Sequence, residues 1–333
     1  MTTEANNRMC AAGFAVVLGI SLFLGCAPQQ PAVDLYLDAI AFRELGQDRL
    51  AVDKLNEAVK ADPEFALAYS ELGKAYRKLG EHEKALTAFR QAARLDPWAA
   101  GNHLDMARAY EELDKQAPAA DAFARAAELD PNNFDALTGA ARCYVKAGRY
   151  AKAQAWCEQA GADRQKELLP LLARAYEGQK DYDRAVEVYQ RLHVLDGNDP
   201  NVLLSLGVAC VRAKRYDRAK EALVSLTRAR PGDGVALRHL GYCFLMLGDT
   251  DQAMQAYHKS IEIDGNDWEA YRGLGVACML KARQAGDDRW QEQAVRHWRR
   301  SLLLKPDQPK RQTLEKLIRE HSKQLNPLQG LSY

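Results

Sequence analysis

Residues 69–97 read YSELGKAYRKLGEHEKALTAFRQAARLDP, and this stretch decides the fold. Two small residues, Gly73 and Ala85, stand in the middle of two predicted helices, with Gly80 between the helices. Pro97 follows the second helix, which it cannot continue because proline has no backbone N–H. Where two helices cross, glycine or alanine allows their backbones to approach closely. The stretch therefore predicts a helical hairpin packed through its two small residues.

Both small residues recur along the chain with the same period. The one in the first helix recurs as Ala39, Gly73, Ala107, Ala141, Ala173, Gly207, Gly241 and Gly275. The alanine of the second helix recurs as Ala51, Ala85, Ala119, Ala153, Ala185, Ala219, Ala253 and Ala294. Each step is 34 residues, except for one step of 32 in both series and a last step of 41 in the second. Two series with one period predict eight copies of the hairpin.

The pattern Tyr69-x2-Leu72-Gly73-x2-Tyr76, followed by Ala85-x3-Phe89 and Pro97, resembles the tetratricopeptide repeat signature. The resemblance implies an all-α, right-handed superhelical solenoid of about eight helix-turn-helix repeats, with the first helices lining a concave face. The repeats that it implies are 32–65, 66–99, 100–133, 134–165, 166–199, 200–233, 234–267 and 268–308.

Two repeats depart from the period, and one more helix follows them. Repeat four is two residues short, and Gln165 stands where proline is expected. Repeat eight has seven extra residues around 282–288, which predict a longer turn between its helices. After Pro309, apolar residues at helical spacing predict a capping helix over 309–325 and a tail over 326–333. These apolar residues are Leu314, Leu317, Ile318 and Leu325.

Residues 1–26 have the character of an export segment. The run from Cys10 to Gly25 carries no charge, and as a helix it spans roughly 24 Å, less than the ~30 Å of a membrane core. Its end, LFLGC at 22–26, resembles a bacterial lipobox, which implies lipidation of Cys26 and a short tether over 27–31. A membrane-anchored lipoprotein of the cell envelope, facing the periplasm, is thus expected. Ordinary cleavage near Cys26 and an uncleaved single-pass anchor are the alternatives.

The sequence offers little catalytic chemistry. It contains no His-Glu-x2-His, Cys-x2-Cys or phosphate-binding loop pattern, so we expect no enzyme activity, cofactor or metal. His239 and Cys243 lie four residues apart on one helix and could pair, although a buried structural cysteine is the more common case. Cys143 and Cys157 could form a disulfide across one hairpin, but buried free thiols are the favoured interpretation. The formal net charge of +1 gives no reason to expect nucleic-acid binding.

The exposed stripe of the first helices changes character along the chain. In repeats two to five it is basic, and the candidate contacts are Lys74, Arg77, Lys78, Arg108, Arg142, Lys146 and Arg174. In repeats six to eight it is mainly apolar, and the candidate groove is Leu204, Val208, Val211, Arg238, Tyr242, Leu245, Met246, Arg272, Val276, Met279 and Leu280. Because a continuous exposed apolar surface usually marks a partner site, the second set is the favoured prediction.

These features predict a non-catalytic, envelope-anchored scaffold that binds a partner protein or peptide segment in its concave groove. Two alternatives remain at this stage. One is an accessory or regulatory subunit of an enzyme or secretion complex. The other is a cytoplasm-facing adaptor on an uncleaved membrane anchor.

Overall fold

A computed structural model describes residues 30–161, 166–197 and 199–325. The predicted export segment, Cys26, most of the tether, Gln165 and the tail lie outside the described residues. The described residues form seventeen α-helices and no strand, which confirms the predicted all-α class. The helices of repeats one to four are α1 Ala32–Glu44, α2 Asp48–Ala61, α3 Ala66–Lys78, α4 His82–Leu95, α5 Ala100–Glu112, α6 Gln116–Leu129, α7 Phe134–Lys146 and α8 Tyr150–Gln159. Those that follow are α9 Leu169–Gly178, α10 Tyr182–Asp196, α11 Pro200–Arg212, α12 Tyr216–Ala229, α13 Gly234–Met246, α14 Thr250–Ile263, α15 Trp268–Ala285, α16 Asp288–Leu304 and α17 Arg311–Leu325.

The small residues of each hairpin lie where its two helices touch. All eight alanines of the second-helix series have no exposed surface. A Cβ atom added to Gly73 would stand 2.5 Å from the ring of Phe89, four residues after Ala85. At Gly241 the same addition would stand 3.0 Å from the ring of Tyr257. Each large side chain therefore fills the space that a glycine leaves open on the opposite helix.

The helices divide into two compact units, one ending at Asn133 and the other beginning at Phe134. The first unit contains α1–α6, and part of its core forms around Leu35, Leu55 and Leu72. The second contains α7–α17, with one core cluster in its repeats four to seven and another shared by α14, α15, α16 and α17. Among the described residues, no helix is both long enough and apolar enough to cross a membrane.

The turn between the two helices of repeats one to seven contains one residue in the left-handed region. These residues, with φ between 54° and 86°, are Gly46, Gly80, Asp114, Gly148, Lys180, Lys214 and Gly248. The next residue donates its N–H to a carbonyl five residues back, as in the 2.9 Å bond from Asp181 N to Tyr176 O. This bond satisfies a carbonyl at the helix end. Three repeats thus place a residue with a side chain where glycine is favoured.

Replacing Lys180 by glycine is expected to stabilise the protein by about 0.5–1 kcal/mol. A left-handed residue with a Cβ atom costs about 1–2 kcal/mol, and the greater freedom of glycine in the unfolded chain offsets part of the gain. Urea unfolding followed by circular dichroism would measure the change. Lys180→Ala is the matched control, because it removes the same side chain but keeps the Cβ atom. Equal stabilities of the two variants would contradict this explanation.

The seven extra residues of repeat eight do not form a longer turn, so that expectation is wrong. They lengthen both helices instead: α15 has 18 residues and α16 has 17, against 13 and 14 for α13 and α14. Residues 281–285 contain no helix breaker, and Ala282 is buried, which favours continuation of α15. The helix ends where Gly286 adopts a left-handed conformation, and Asp287 then caps α16.

Helix α17 packs on the last repeat through one face. Leu314 and Ile318 are buried against the cluster of α14, α15 and α16, and Leu317 is partly buried there. Lys316, Arg319 and Glu320 are exposed. This amphipathic arrangement covers the end of the core.

Candidate functional site

The second unit contains a groove of about 800 Å³, which we term the C-terminal groove. It is formed mainly by α13, α15 and the first half of α17. Its lining residues are Val211, Arg212, Lys214, Tyr216, Arg238, His239, Tyr242, Leu245, Met246, Tyr257, Glu269, Arg272, Gly273, Val276, Leu280, Trp298, Pro309, Lys310, Thr313, Leu314 and Leu317.

The groove-lining residues repeat from helix to helix. Tyr242 and Val276 are 34 residues apart, and Leu317 follows Val276 by 41 residues, the same step that separates the alanines of α14 and α16. Leu317 of α17 therefore occupies the place in the groove that the first helix of a ninth repeat would supply. Tyr242 and Val276 are 40% and 41% exposed, and Met246 is 47% exposed, so apolar surface in this groove faces solvent. Exposed apolar surface in a concavity is characteristic of binding sites.

The groove contains eight of the eleven residues predicted for it, and three lie outside its lining. Leu204 is partly buried and packs against the core of repeats four to seven. Met279 is partly buried and packs against the last core cluster. Val208 is partly buried and does not line the groove. The groove therefore extends nearer the C-terminus than the predicted set of residues.

Several lining residues could not be assigned to a groove from the pattern of the first helices. Tyr257 and Trp298 belong to second helices, where they also fill the space beside Gly241 and Gly275. The ring of Tyr216 meets that of Tyr242 edge-on, with 6.0 Å between the ring centres. Lys310, Thr313 and Leu317 come from the capping segment. Its helical spacing was visible in the sequence, but that spacing does not show which residues border a groove.

Arg238 is held in place at one side of the groove. Its guanidinium nitrogens lie 3.0 Å from the carboxylate of Asp267 and 3.0 Å from that of Glu269. Asp267 is buried, accepts a 2.9 Å hydrogen bond from the Ser260 hydroxyl and caps α15 by accepting from the Ala270 N–H at 3.0 Å. This network ties α13, α14 and α15 together beside the groove and orients Arg238.

The suggested pairing of His239 with Cys243 has no support in the ionisation of either group. Burial raises the pKa of the Cys243 thiol to about 12, so the thiol is protonated at neutral pH. Burial, assisted by Arg238 and Arg212, lowers the pKa of His239 to about 4, so this histidine is neutral. A nucleophilic thiolate is absent under these conditions. Cys243 is a buried core residue, which is the more common case named in the sequence analysis.

The other cysteines of the described residues are also free and buried, so Cys143 and Cys157 form no bridge. Burial raises the pKa of Cys157 to about 12 and the pKa values of Cys210 and Cys278 to about 11. Within the three described ranges, no group of three or more His, Cys, Asp or Glu side chains is arranged to hold a metal ion.

The predicted basic stripe behaves differently from the C-terminal groove. In the first unit, the carboxylate of Asp105 is buried among three cations, with Arg77 at 3.5 Å, Arg108 at 3.6 Å and Lys74 at 3.9 Å. Lys78 pairs with Asp48 of the preceding repeat at 3.0 Å. These cations are therefore compensated by acidic side chains within the fold.

The remaining three basic candidates belong to the second unit. Arg142 is partly buried, and Lys146 and Arg174 are exposed. None of the three lines the C-terminal groove. They stay a prediction as partner contacts.

Comparison with known families bears on the repeat directly. A model described as tetratricopeptide repeat matches residues 117–175 and 176–241. Related models of the same description match residues 66–98, 100–133 and 235–266, and one described as TPR repeat matches residues 40–80. Together they cover about two thirds of the chain. The chain belongs to the tetratricopeptide repeat family. Its fold is the all-α solenoid of that family, and its architecture is that of a protein-interaction scaffold.

Individual relatives match over limited segments. The chain is 32% identical to "Heat shock protein STI1" of Saccharomyces cerevisiae over 111 residues, which are 33% of this chain and 19% of that protein. It is 30% identical to "BBSome complex member BBS4" of Bos taurus over 92 residues, 28% of this chain and 18% of that one. The aligned segments thus span about a fifth of these relatives.

A similar solved structure is that of "Naa15/Naa10 bound to HypK-THB", with 16% identity and a TM-score of 0.54. The likeness covers 88% of this tetratricopeptide chain and 46% of that one, and it supports the shared fold alone.

Proposed function

We propose that this protein is a non-catalytic scaffold that holds a segment of a partner protein in the C-terminal groove. The observation that carries the proposal is the solvent-facing apolar surface that Tyr242, Met246 and Val276 form in a concavity of about 800 Å³. A soluble protein rarely leaves such surface uncovered unless it binds another molecule there. The fold supplies rigid helices on which these side chains keep their positions.

Photo-cross-linking in the native cells would test the groove. A photoreactive amino acid at Val276 is expected to give discrete protein adducts, because a bound segment would contact that position. Combining it with Tyr242→Asp should reduce the adducts about tenfold or more, since a buried, unpaired carboxylate costs several kcal/mol. Position 259 serves as the control, because Lys259 is exposed on α14 and does not line the groove.

Two outcomes would count against the groove. The first is an equal yield of the same adducts at positions 259 and 276. The second is an unchanged yield from a Tyr242→Asp variant that circular dichroism shows to be as helical as the parent protein.

We also propose that a lipid on Cys26 anchors the scaffold in the cell envelope, on the periplasmic side. The proposal rests on the resemblance of residues 22–26 to a lipobox and on the short apolar run before it. Several acyl chains give stable anchoring, because each buried CH₂ group contributes about 0.8 kcal/mol.

Replacing Cys26 by serine is expected to release the protein fully into the soluble fraction. Cys10→Ser is the matched control and should stay in the membrane fraction, because the lipidated position is intact. Retention of Cys26→Ser in membranes would contradict lipid anchoring and favour an uncleaved anchor. Accessibility to added protease would then report which side of the membrane the repeats face.

A further inference from the structure

The C-terminal groove carries an excess of positive charge around its apolar surface. Five cationic side chains line it, and the one carboxylate among its lining residues is Glu269, which already pairs with Arg238. Arg212 has an acidic partner outside the lining, Glu177, at 3.8 Å. The three other cations are Lys214, Arg272 and Lys310.

These three cations form no ion pair with the described residues. The guanidinium of Arg272 lies over the ring of Trp268, 4.9 Å from its centre, and donates a 3.4 Å hydrogen bond to the Pro309 carbonyl oxygen. Lys214 and Lys310 are exposed and occupy turns, one before α12 and the other before α17. Lys214 thus follows α11 and Lys310 precedes α17, and in chain order the apolar lining residues of α13 and α15 come between the two lysines. In the first unit, by contrast, the basic stripe is compensated within the fold.

We infer that the partner segment held in the C-terminal groove is an amphipathic helix whose apolar face is bordered by aspartate or glutamate side chains. The inference rests on the proposed function. Apolar side chains of the helix cover Tyr242, Val276 and their neighbours, and its carboxylates meet Lys214, Arg272 and Lys310. Opposite charges brought together in this way favour the correct partner and speed its association.

The backbone chemistry of the groove favours a helix over an extended segment. Its walls are helices, whose backbone groups are already hydrogen-bonded, so no strand edge is available to pair with an extended chain. An extended segment would also need acceptors for its own N–H groups. The lining contains no asparagine or glutamine, and its one carboxylate is engaged by Arg238. A helix forms its backbone hydrogen bonds internally, so only its side chains need to contact the groove.

Selection from a phage-displayed library of random peptides would test the inference. The peptides should be about sixteen residues long, which is roughly four helical turns. The full chain is the bait, at about 50 mM NaCl, where screening is moderate. Enriched peptides are expected to combine apolar residues at helical spacing with an excess of aspartate and glutamate.

Synthesised peptides from the selection would then be bound to four proteins: the parent, Lys214→Glu/Lys310→Glu, Lys259→Glu and Tyr242→Asp/Val276→Asp. The double lysine variant should weaken binding roughly tenfold or more. Its two lysines make no ion pairs within the described fold, so circular dichroism should find it fully helical. Lys259→Glu changes the charge outside the groove and should leave the affinity unchanged.

The outcomes separate the inference from the proposed function. Peptides that require Tyr242 and Val276 but carry no acidic excess would overturn the inference and leave the proposed function standing. The same holds for acidic peptides that bind the double lysine variant as tightly as the parent. Failure to enrich any peptide that requires Tyr242 and Val276 would instead remove the proposed function, and the inference with it.

Discussion

Replacing Trp298 by alanine is expected to lower the free energy of unfolding by about 3–5 kcal/mol. Trp298 is 2% exposed, and its ring fills the space beside Gly275, where no Cβ atom stands in the way. Its indole N–H donates a 3.2 Å hydrogen bond to the backbone carbonyl of Arg272. Truncation would leave a large cavity between α15 and α16 and would remove this hydrogen bond from the Arg272 carbonyl. In a repeat protein, such a loss also weakens the neighbouring repeats, because each repeat is stabilised by the ones it contacts.

Urea unfolding followed by circular dichroism would measure this effect without depending on tryptophan fluorescence. Trp98→Ala is the matched control, because Trp98 is 75% exposed and its described ring contact is with Arg125, 5.5 Å from the ring centre. That contact is worth at most about 1 kcal/mol at an exposed site. If both alanine variants unfold at the same urea concentration, the packing of Trp298 against Gly275 does not stabilise the fold as described.

Stability is also expected to fall as the pH drops from about 6.5 towards 4. Burial is the main cause that lowers the pKa values of His239 and His297 to about 4 in the folded protein, whereas a histidine of the unfolded chain titrates near 6.5. Below pH 6.5 the unfolded state therefore binds more protons than the folded state, so acid favours unfolding. At pH 5 the loss is about 1–2 kcal/mol for each histidine, relative to pH 8.

Charges of both signs surround His239, whereas the neighbours of His297 all lower its pKa. Arg238 and Arg212 add to the effect of burial at His239, and Asp267 and Asp233 oppose it. At His297 the neighbouring groups are His258, whose ring centre lies 6.1 Å away, and Arg296. Both of these groups disfavour a further positive charge on the ring.

Urea unfolding at pH 8, 6.5, 5.5 and 5 would measure the pH dependence, with those values chosen to bracket the histidine range. His239→Gln/His297→Gln removes both titrating rings and should lose most of the dependence between pH 6.5 and 5. A variant whose stability changes with pH in parallel with the parent would contradict the assignment to these two histidines.

The amino-acid sequence determined the repeat without help from any distant contact. Glycine or alanine at a fixed spacing, each facing a large residue such as Phe89 or Tyr257, specified where the helices cross and so which residues form the hairpin core. This was possible because a hairpin is local: its two helices are joined by a few residues, and its packing partners lie within one period. The membership of the repeat family follows from the same pattern, whereas the export segment and Cys26 remain predictions from sequence.

Tertiary structure decided which residues line the C-terminal groove and which charges border it. The pattern of the first helices included Leu204 and Met279 but could not show that these side chains turn towards the core. Nor could it show that Lys310, just before α17, and Leu317 within α17 complete the groove, because that depends on how α17 stacks on the last repeat. The same holds for charge. Lys78 is compensated by Asp48, 30 residues earlier, whereas Lys214 has no described acidic partner, and only the stacking of successive repeats decides which charges meet.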